Sequence, residues 1–184
     1  MVPERRLPIT VTGQPLGVLA AAIGERRTPP VDRWDPPLCG HSGMRIASDG
    51  TWFHEGSPII RPAMVRLFST VLRREPDGSH VLVTPHEKLT IDVELTAFRG
   101  VAMTQEGEGA ERRIAVELDS GDAVILGPDH PLRMVEETPR ILVRHGLEAL
   151  LARPLYYELA EIALAEGHDP PGIWSDNCFF PLQP

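Results

Sequence analysis

Lysine is almost absent from this chain: Lys88 stands alone among 18 basic residues, the other 17 being arginine. So lopsided a usage reads as a composition bias, which makes the individual arginines uninformative and the one lysine worth following as a compact ammonium. Cysteine is nearly as scarce. Cys39 and Cys178 lie far apart with no CxxC pair, which excludes a zinc ribbon and a disulfide-built secreted module. Cys39-Gly40-His41 is a single pair with no matching second half, so no metal site is read. Long apolar runs are also missing. The run from Leu16 to Ile23, between Arg5-Arg6 and Glu25-Arg26-Arg27, falls short of the roughly 20 residues that a bilayer span needs. It has no small-residue cleavage site after it, so the reading is an amphipathic N-terminal helix in a cytoplasmic protein without a membrane partner. A basic excess is lacking as well: 18 Lys+Arg against 26 Asp+Glu give a net charge of −8, which argues against direct binding of polymeric nucleic acid but leaves a nucleotide-sized ligand open. Finally, the chain has no GxGxxG, GxxxxGK[ST] or GxSxG, so the dinucleotide, P-loop and hydrolase-elbow motifs drop out.

What the chain does have is an ordinary globular composition, 42% hydrophobic and 24% charged, enough to bury a core. The stretch from Glu25 to Pro37 carries Thr28-Pro29-Pro30 and Asp35-Pro36-Pro37, reads as an extended connector, and offers Trp34 as its anchor. Met44-Arg45-Ile46-Ala47 and Thr51-Trp52-Phe53-His54 flank Ser48-Asp49-Gly50, a strong hairpin signal. Arg61-Pro62 opens a helix to about Leu72, with Met64, Val65, Phe68, Val71 and Leu72 on its apolar face and Arg66, Thr70 and Arg73 opposite. Two strands follow, His80 to Thr84 and Leu89 to Glu94.

The second half repeats the opening pattern. A shift of 71 positions places Gly50 on Gly121, Phe53 on Val124 and Gly56 on Gly127. Gln105 to Glu111 reads as an exposed acidic loop. A helical stretch is expected from about Arg144 to Glu166, on the stripe Leu147, Leu150, Leu151, Leu155, Leu159 and Ile162, kinked or split by Pro154 and stopped by Gly167. The expected fold class is α+β: an N-terminal helix and connector (1–38), a first hairpin-plus-helix unit (39–99), and a second, related unit with a C-terminal helix and tail (100–184).

Chemistry-bearing residues collect at breaks between strands. Trp52, His54 and Glu55 offer a stacking ring, an imidazole and a carboxylate, although neighbours on a strand face opposite sides, which argues against His54 and Glu55 acting as one acid/base pair. Thr84-Pro85-His86-Glu87-Lys88 offers either a surface ion pair or a cleft in which Lys88 meets a phosphate or carboxylate. The C-terminal Gly172 to Leu182 is aromatic-rich in a chain with few aromatics. It reads as a docked tail strand, with Trp174 at the rim of a cleft as the functional variant.

The ordered series Trp52-Phe53-His54-Glu55-Gly56-Ser57-Pro58-Ile59, Arg61, Leu67-Phe68-Ser69, Val71-Leu72-Arg73, Leu82-Val83-Thr84-Pro85, Glu87-Lys88, Gly172, Trp174-Ser175 and Phe179-Phe180 resembles a bacterial family, the domain-of-unknown-function family 1285. The likeness runs from Pro29 to Leu182. It implies duplicated α+β halves, the second pleckstrin-homology-like, and a site at their interface for a nucleotide-type ligand in signalling during oxidative stress. The chain departs from the family pattern in three places. His41-Ser42-Gly43 stands for an acidic, hydrophobic step, Leu95-Thr96-Ala97-Phe98 for an acidic-small-Pro-Phe run, and Asp176-Asn177-Cys178 for small glycines.

Three readings follow. The leading one is a non-enzymatic ligand sensor whose cleft is lined by Trp52, His54, Glu55, Arg61, Thr84, Glu87, Lys88 and Trp174, arginine and lysine holding phosphate and tryptophan stacking on a base. The second is a hydrolase or transferase acting on a small phosphorylated substrate with His54 or Glu87 as base. The third is an interaction module whose second half binds a protein partner. No cofactor is named by the sequence.

Overall fold

The computed structural model describes residues 7–183; Arg5 and Arg6 lie outside them. After Pro15 the chain forms helix α1 (Leu16–Glu25), whose first-turn Leu16 N–H donates to the Glu106 carboxylate at 2.8 Å, negative charge meeting the positive end of the helix. A 3-10 turn at Val31–Arg33 interrupts the connector. The first unit then runs β1 (Leu38–Ile46), β2 (Trp52–His54), β3 (Ser57–Pro58), helix α2 (Pro62–Thr70), β4 (Leu72–Arg74), β5 (His80–Val83) and β6 (Lys88–Val93). The second runs β7 (Phe98–Glu106), β8 (Arg113–Leu118), β9 (Ala123–Ile125), β10 (Leu132–Val135), β11 (Thr138–Arg144) and β12 (Leu147–Leu151). Helix α3 (Arg153–Glu166) and a hairpin of β13 (Gly172–Ser175) and β14 (Cys178–Pro181) complete the chain.

Each unit builds one six-stranded sheet, in the order β3-β2-β1-β6-β5-β4 and, read from its far end, β9-β8-β7-β12-β11-β10. Both are two antiparallel three-stranded meanders whose first and last strands lie side by side in parallel, β1 with β6 and β7 with β12. The α+β class holds, and the shared connectivity is consistent with a duplicated unit. The unit itself needs correcting, because α2 sits between the two meanders of the first sheet whereas α3 follows the last strand of the second. The 71-residue register is also one hairpin off: Gly50 closes β1–β2 but Gly121 closes β8–β9, and the topological equivalent of β1–β2 is β7–β8. Gly50 and Gly121 both adopt positive φ, 88° and 82°, because each closes a tight antiparallel turn. That demand recurs at many hairpins and does not mark homologous positions.

The helical stretch expected from Arg144 is likewise corrected. Leu147, Ala149 and Leu151 are buried while Glu148 and Leu150 alternate between them, and this period of two pairs β12 with β11 on one side and β7 on the other. Helix begins only at Arg153, with Pro154 in its first turn where a missing N–H costs nothing. Gly167 ends it in the left-handed conformation, φ 66°, as a C-terminal stop requires.

One apolar core runs through both units, joining Ile46, Trp52, Leu72 and Ile91 to Phe98, Ile114, Leu126, Ile141, Leu147 and Leu159. A smaller one lies under α1, where Ile9, Val11, Leu16 and Leu19 pack on Ala115 and Ala123. The connector is fastened mainly by buried Val31 and by its own carbonyls, a correction to Trp34 as anchor, since Trp34 is only half-buried. The Arg73 guanidinium donates to the carbonyls of Val31 and Trp34 at 2.7 Å each. Among the described residues no helix is long and apolar enough to cross a membrane.

Candidate functional site

Helix α2 does not lie flat on the first sheet. Val65, Phe68 and Val71 reach the core only in part, and between them and the sheet lies a cavity of about 740 Å³. Its walls come from β1 (Ser42, Met44), the β2–β3 segment (His54 to Arg61), α2 with Val71, and the β5–β6 hairpin (Leu82, Thr84, Glu87, Leu89). Both volume and lining suit a small-molecule seat, an apolar wall with a few polar groups. The opposite face of α2 is the joint to the second unit. Arg66 packs over Gly121, Thr70 is buried, and the Ser69 carbonyl accepts from the Arg144 guanidinium at 2.6 Å.

The cavity gathers four of the eight anticipated residues: His54, Arg61, Thr84 and Glu87. Arg61 stands at the start of α2, and no ion pair or side-chain hydrogen bond holds its guanidinium among the described residues. The hydroxyls are already engaged. Thr84 Oγ1 accepts from the His86 and Glu87 amides at 3.3 and 3.2 Å, a turn held by its own side chain. Ser42 Oγ donates to the Thr90 carbonyl at 2.8 Å and accepts from the Met44 amide at 3.2 Å.

The other four lie elsewhere. Trp52 is 3% exposed and forms core, its ring stacked on Phe68 at a centroid distance of 6.4 Å, so it backs the cavity wall without entering it. Glu55 occupies the β2–β3 turn at φ 49°, with its carboxylate folded over Gly43. Only glycine fits at Gly43, because φ is 69° and a Cβ would strike that carboxylate. Lys88 points to the other side of its strand from Leu89 and lies 3.6 Å from Glu75 and 3.8 Å from Asp35, so the lone lysine serves the network that fastens the connector. Trp174 belongs to the C-terminal hairpin of the second unit, tilted against Phe179 at 5.3 Å. The site thus sits inside the first unit, and the printed contacts bring no second-unit side chain into its wall.

Sequence reasoning missed Met44, Ile60, Leu67, Leu82 and Leu89 as cavity lining, although the apolar face of α2 had been visible. The signal was there in Ile60-Arg61-Pro62-Ala63-Met64, an apolar run interrupted by one charge at a helix start. The aromatic tail docks as read. Ile173 and Phe180 are buried, and Ser175 Oγ accepts from the Ile114 amide at 3.0 Å while donating to the Leu126 carbonyl at 2.7 Å. Asp176 and Asn177 replace the expected glycines at φ 49° and 61°, the two positive values that a two-residue hairpin turn needs and that these side chains tolerate.

A second polar cluster lies in the second unit. Arg112, with 9% of its side chain exposed, donates to Glu166 at 2.6 Å, and the other Glu166 oxygen lies 3.5 Å from the His168 imidazole. Two further Arg112 nitrogens are buried without a partner. This is a buried ion pair that joins the start of β8 to the end of α3. Among the described residues no three His, Cys, Asp or Glu side chains converge as metal ligands do.

Comparison with known proteins places the chain. Residues 29–96 match the N-terminal domain, and residues 97–182 the C-terminal domain, of a family described as a domain or protein of unknown function, DUF1285. The crystal structure of a DUF1285 family protein from Silicibacter pomeroyi DSS-3 shares 40% identity and a TM-score of 0.80 over 94% of this chain and 96% of that one. A second, from Shewanella baltica OS155, shares 19% identity and a TM-score of 0.54 over 66% and 92%, a likeness of fold alone. No curated protein matches. With two family models spanning 29–182 and a 40% identical relative along nearly its whole length, the chain belongs to the DUF1285 family.

Proposed function

We propose that the protein is a cytoplasmic ligand-binding module of a signalling system, and that its ligand sits in the cavity between α2 and the first sheet. One observation carries this reading: a space of about 740 Å³ is kept open beside a helix whose apolar residues had the means to close it, with Arg61 on its wall and without an ion-pair partner. A core left unfilled loses the dispersion and transfer energy of the missing contacts, about 24 cal/mol per Å³ in measured cavity series. Retaining such a space is consistent with an occupant that restores those contacts. A binding role is favoured over turnover because the lining hydroxyls are held by backbone groups and His54 has no carboxylate to orient it. The nucleotide-type ligand belongs to this proposal through Arg61, which would meet a phosphate.

Occupancy would be relayed through α2. The helix that walls the cavity is bonded at Ser69 to Arg144, and Arg99 of the second unit donates to the Ser48 carbonyl at 2.8 Å. A second unit with pleckstrin-homology-like character, in which a helix follows the last strand of a six-stranded sheet, would receive that signal.

The test is a melting-temperature screen of the whole protein against nucleotides, dinucleotide cofactors, signalling dinucleotides and amphipathic acids, since a ligand that binds only the folded state raises the melting point. The screen is repeated on a Met64→Phe/Leu67→Phe variant, in which two partly exposed wall residues are enlarged into the cavity. A shift in the wild type that disappears in the variant is the expected result. A shift of equal size in both places the ligand elsewhere and overturns the site.

A further inference from the structure

The cavity wall is more selective than a general ligand seat. Its apolar part is continuous through Met44, Leu67, Phe68, Val71, Leu82 and Leu89. It also continues outward, because Ile60, Leu67 and Met64 are 85%, 52% and 39% exposed at its mouth. Exposed apolar surface of this kind, running into a concave apolar space, suits an elongated apolar body. The polar groups are few and mostly spent. Ser42 and Thr84 use their hydroxyls on neighbouring backbone, and neither Trp52 nor Trp174 presents a ring to the space. A nucleobase and ribose placed here would lose the water around their ring nitrogens and hydroxyls and gain few partners, each such group costing about 1–3 kcal/mol. An aliphatic chain has no such groups to satisfy. At the wall stand one guanidinium without an ion-pair partner, Arg61, and one carboxylate, Glu87. The guanidinium fits a single carboxylate in two-pronged fashion, while the nearby Glu87 charge works against any occupant carrying several negative charges.

Building on the cavity as ligand seat, we infer that its occupant is a monoanionic, long-chain aliphatic acid, with the chain lying between α2 and the sheet and the carboxylate on Arg61. The match is one of charge and polarity: one cation, an apolar trough and a second wall charge that repels polyanions.

Dodecanoate, kept below its micellar concentration, is the probe. In a Trp34→Phe/Trp174→Phe background the one remaining tryptophan, Trp52, reports on the wall through its stack with Phe68. Saturable change in its emission at one molecule per chain, with a raised melting temperature, is expected. Arg61→Gln should weaken dodecanoate by at least about tenfold, the scale of one lost charge-assisted contact, and leave 1-dodecanol unchanged. The Met64→Phe/Leu67→Phe variant should weaken both, read by melting temperature. Equal dodecanoate affinity with and without the Arg61 charge, preference for dodecyltrimethylammonium, or unsaturable uptake would each overturn the inference. If adenosine monophosphate binds, is lost in the double phenylalanine variant, and dodecanoate does not bind, the acid is wrong while the cavity stands. If no probe in the series responds in a way that the double variant changes, the cavity reading falls with it.

Discussion

The two sheets share a strand order and differ in what fills the space beside them. In the second unit Phe98, Ile114, Leu126, Ile141, Leu147, Leu159 and Ile173 are all at most 1% exposed, packed by α3 and the C-terminal hairpin on one side while α1 covers Ala115 and Ala123. In the first unit a single nine-residue helix faces the sheet, and Met64 and Leu67 stay partly in solvent over a cavity. One copy of the topology is thus closed as scaffold and the other left open. Close packing is the ordinary state of a protein interior, so the open copy is the one in which to look for function.

The largest expected effect tests that asymmetry directly. Leu147→Ala or Leu159→Ala, at fully buried positions, should each lower stability by about 2–5 kcal/mol. Leu67→Ala, at a wall position already half exposed, should cost less than about 1 kcal/mol. Urea unfolding of the three variants decides it, and near-equal costs would mean that the first unit is packed as tightly as the second. Because one apolar cluster crosses both units, a single unfolding transition is expected as well.

Next in size is the buried pair that closes the second unit. Glu166→Ala leaves the Arg112 guanidinium buried without its 2.6 Å partner and should cost about 3 kcal/mol. An Arg112→Met/Glu166→Leu double change should recover most of that loss, since apolar groups of similar shape need no partner. A double variant as unstable as the single one would show that the pair is required for the α3–β8 joint itself.

A smaller change should separate the units without unfolding either. Arg144 donates to the Ser69 carbonyl and lies 5.0 Å over the Phe98 ring, so Arg144→Ala should cost about 1–2 kcal/mol. Amide exchange should then quicken in α2 before it quickens in β11, and uniform quickening would argue against α2 as the relay.

How much of this was legible in the sequence depends on how local each cause is. The β1–β2 hairpin was read because Asp49-Gly50 supplies its turn chemistry within four residues, and α2 because Pro62 opens it. Strand β12 was missed because Leu147, Leu151, Leu155 and Leu159 fall four apart and mimic a helix face. What decided the matter was pairing with β7, some 50 residues earlier in the chain. The candidate site divided the same way. His54, Arg61, Thr84 and Glu87 converge because breaks between strands gather at one end of the first sheet. Lys88 and Trp174 went elsewhere because the side of a strand that a residue faces is set by register against distant partners, Glu75 for the one and the β13–β14 hairpin for the other.

The smallest effect distinguishes the units by the sign of their response to pH. In the second unit, burial pushes the Asp119 carboxyl up to about 6 from 3.8, opposed by the Arg99 amide that donates to it at 3.0 Å. Between those two values the folded protein holds a proton that the unfolded chain has released, so this group's contribution to stability falls as pH rises through the window. In the first unit, burial and the Arg74 charge push His80 below its ordinary 6.5, so its contribution is present above that value and is lost as pH falls beneath it. The two slopes oppose each other and partly cancel in the wild type. Asp119→Asn removes only one, so the variant should lose more stability on acidification from pH 7 to pH 4.5 than the wild type does. The difference should be about 1 kcal/mol or less, because the residue keeps contact with solvent, which screens the effect of burial. Parallel curves for the two proteins, by urea midpoint against pH, would mean that Asp119 titrates as an ordinary surface carboxylate and that the turn joining β8 to β9 is as open to water as the hairpins of the first unit.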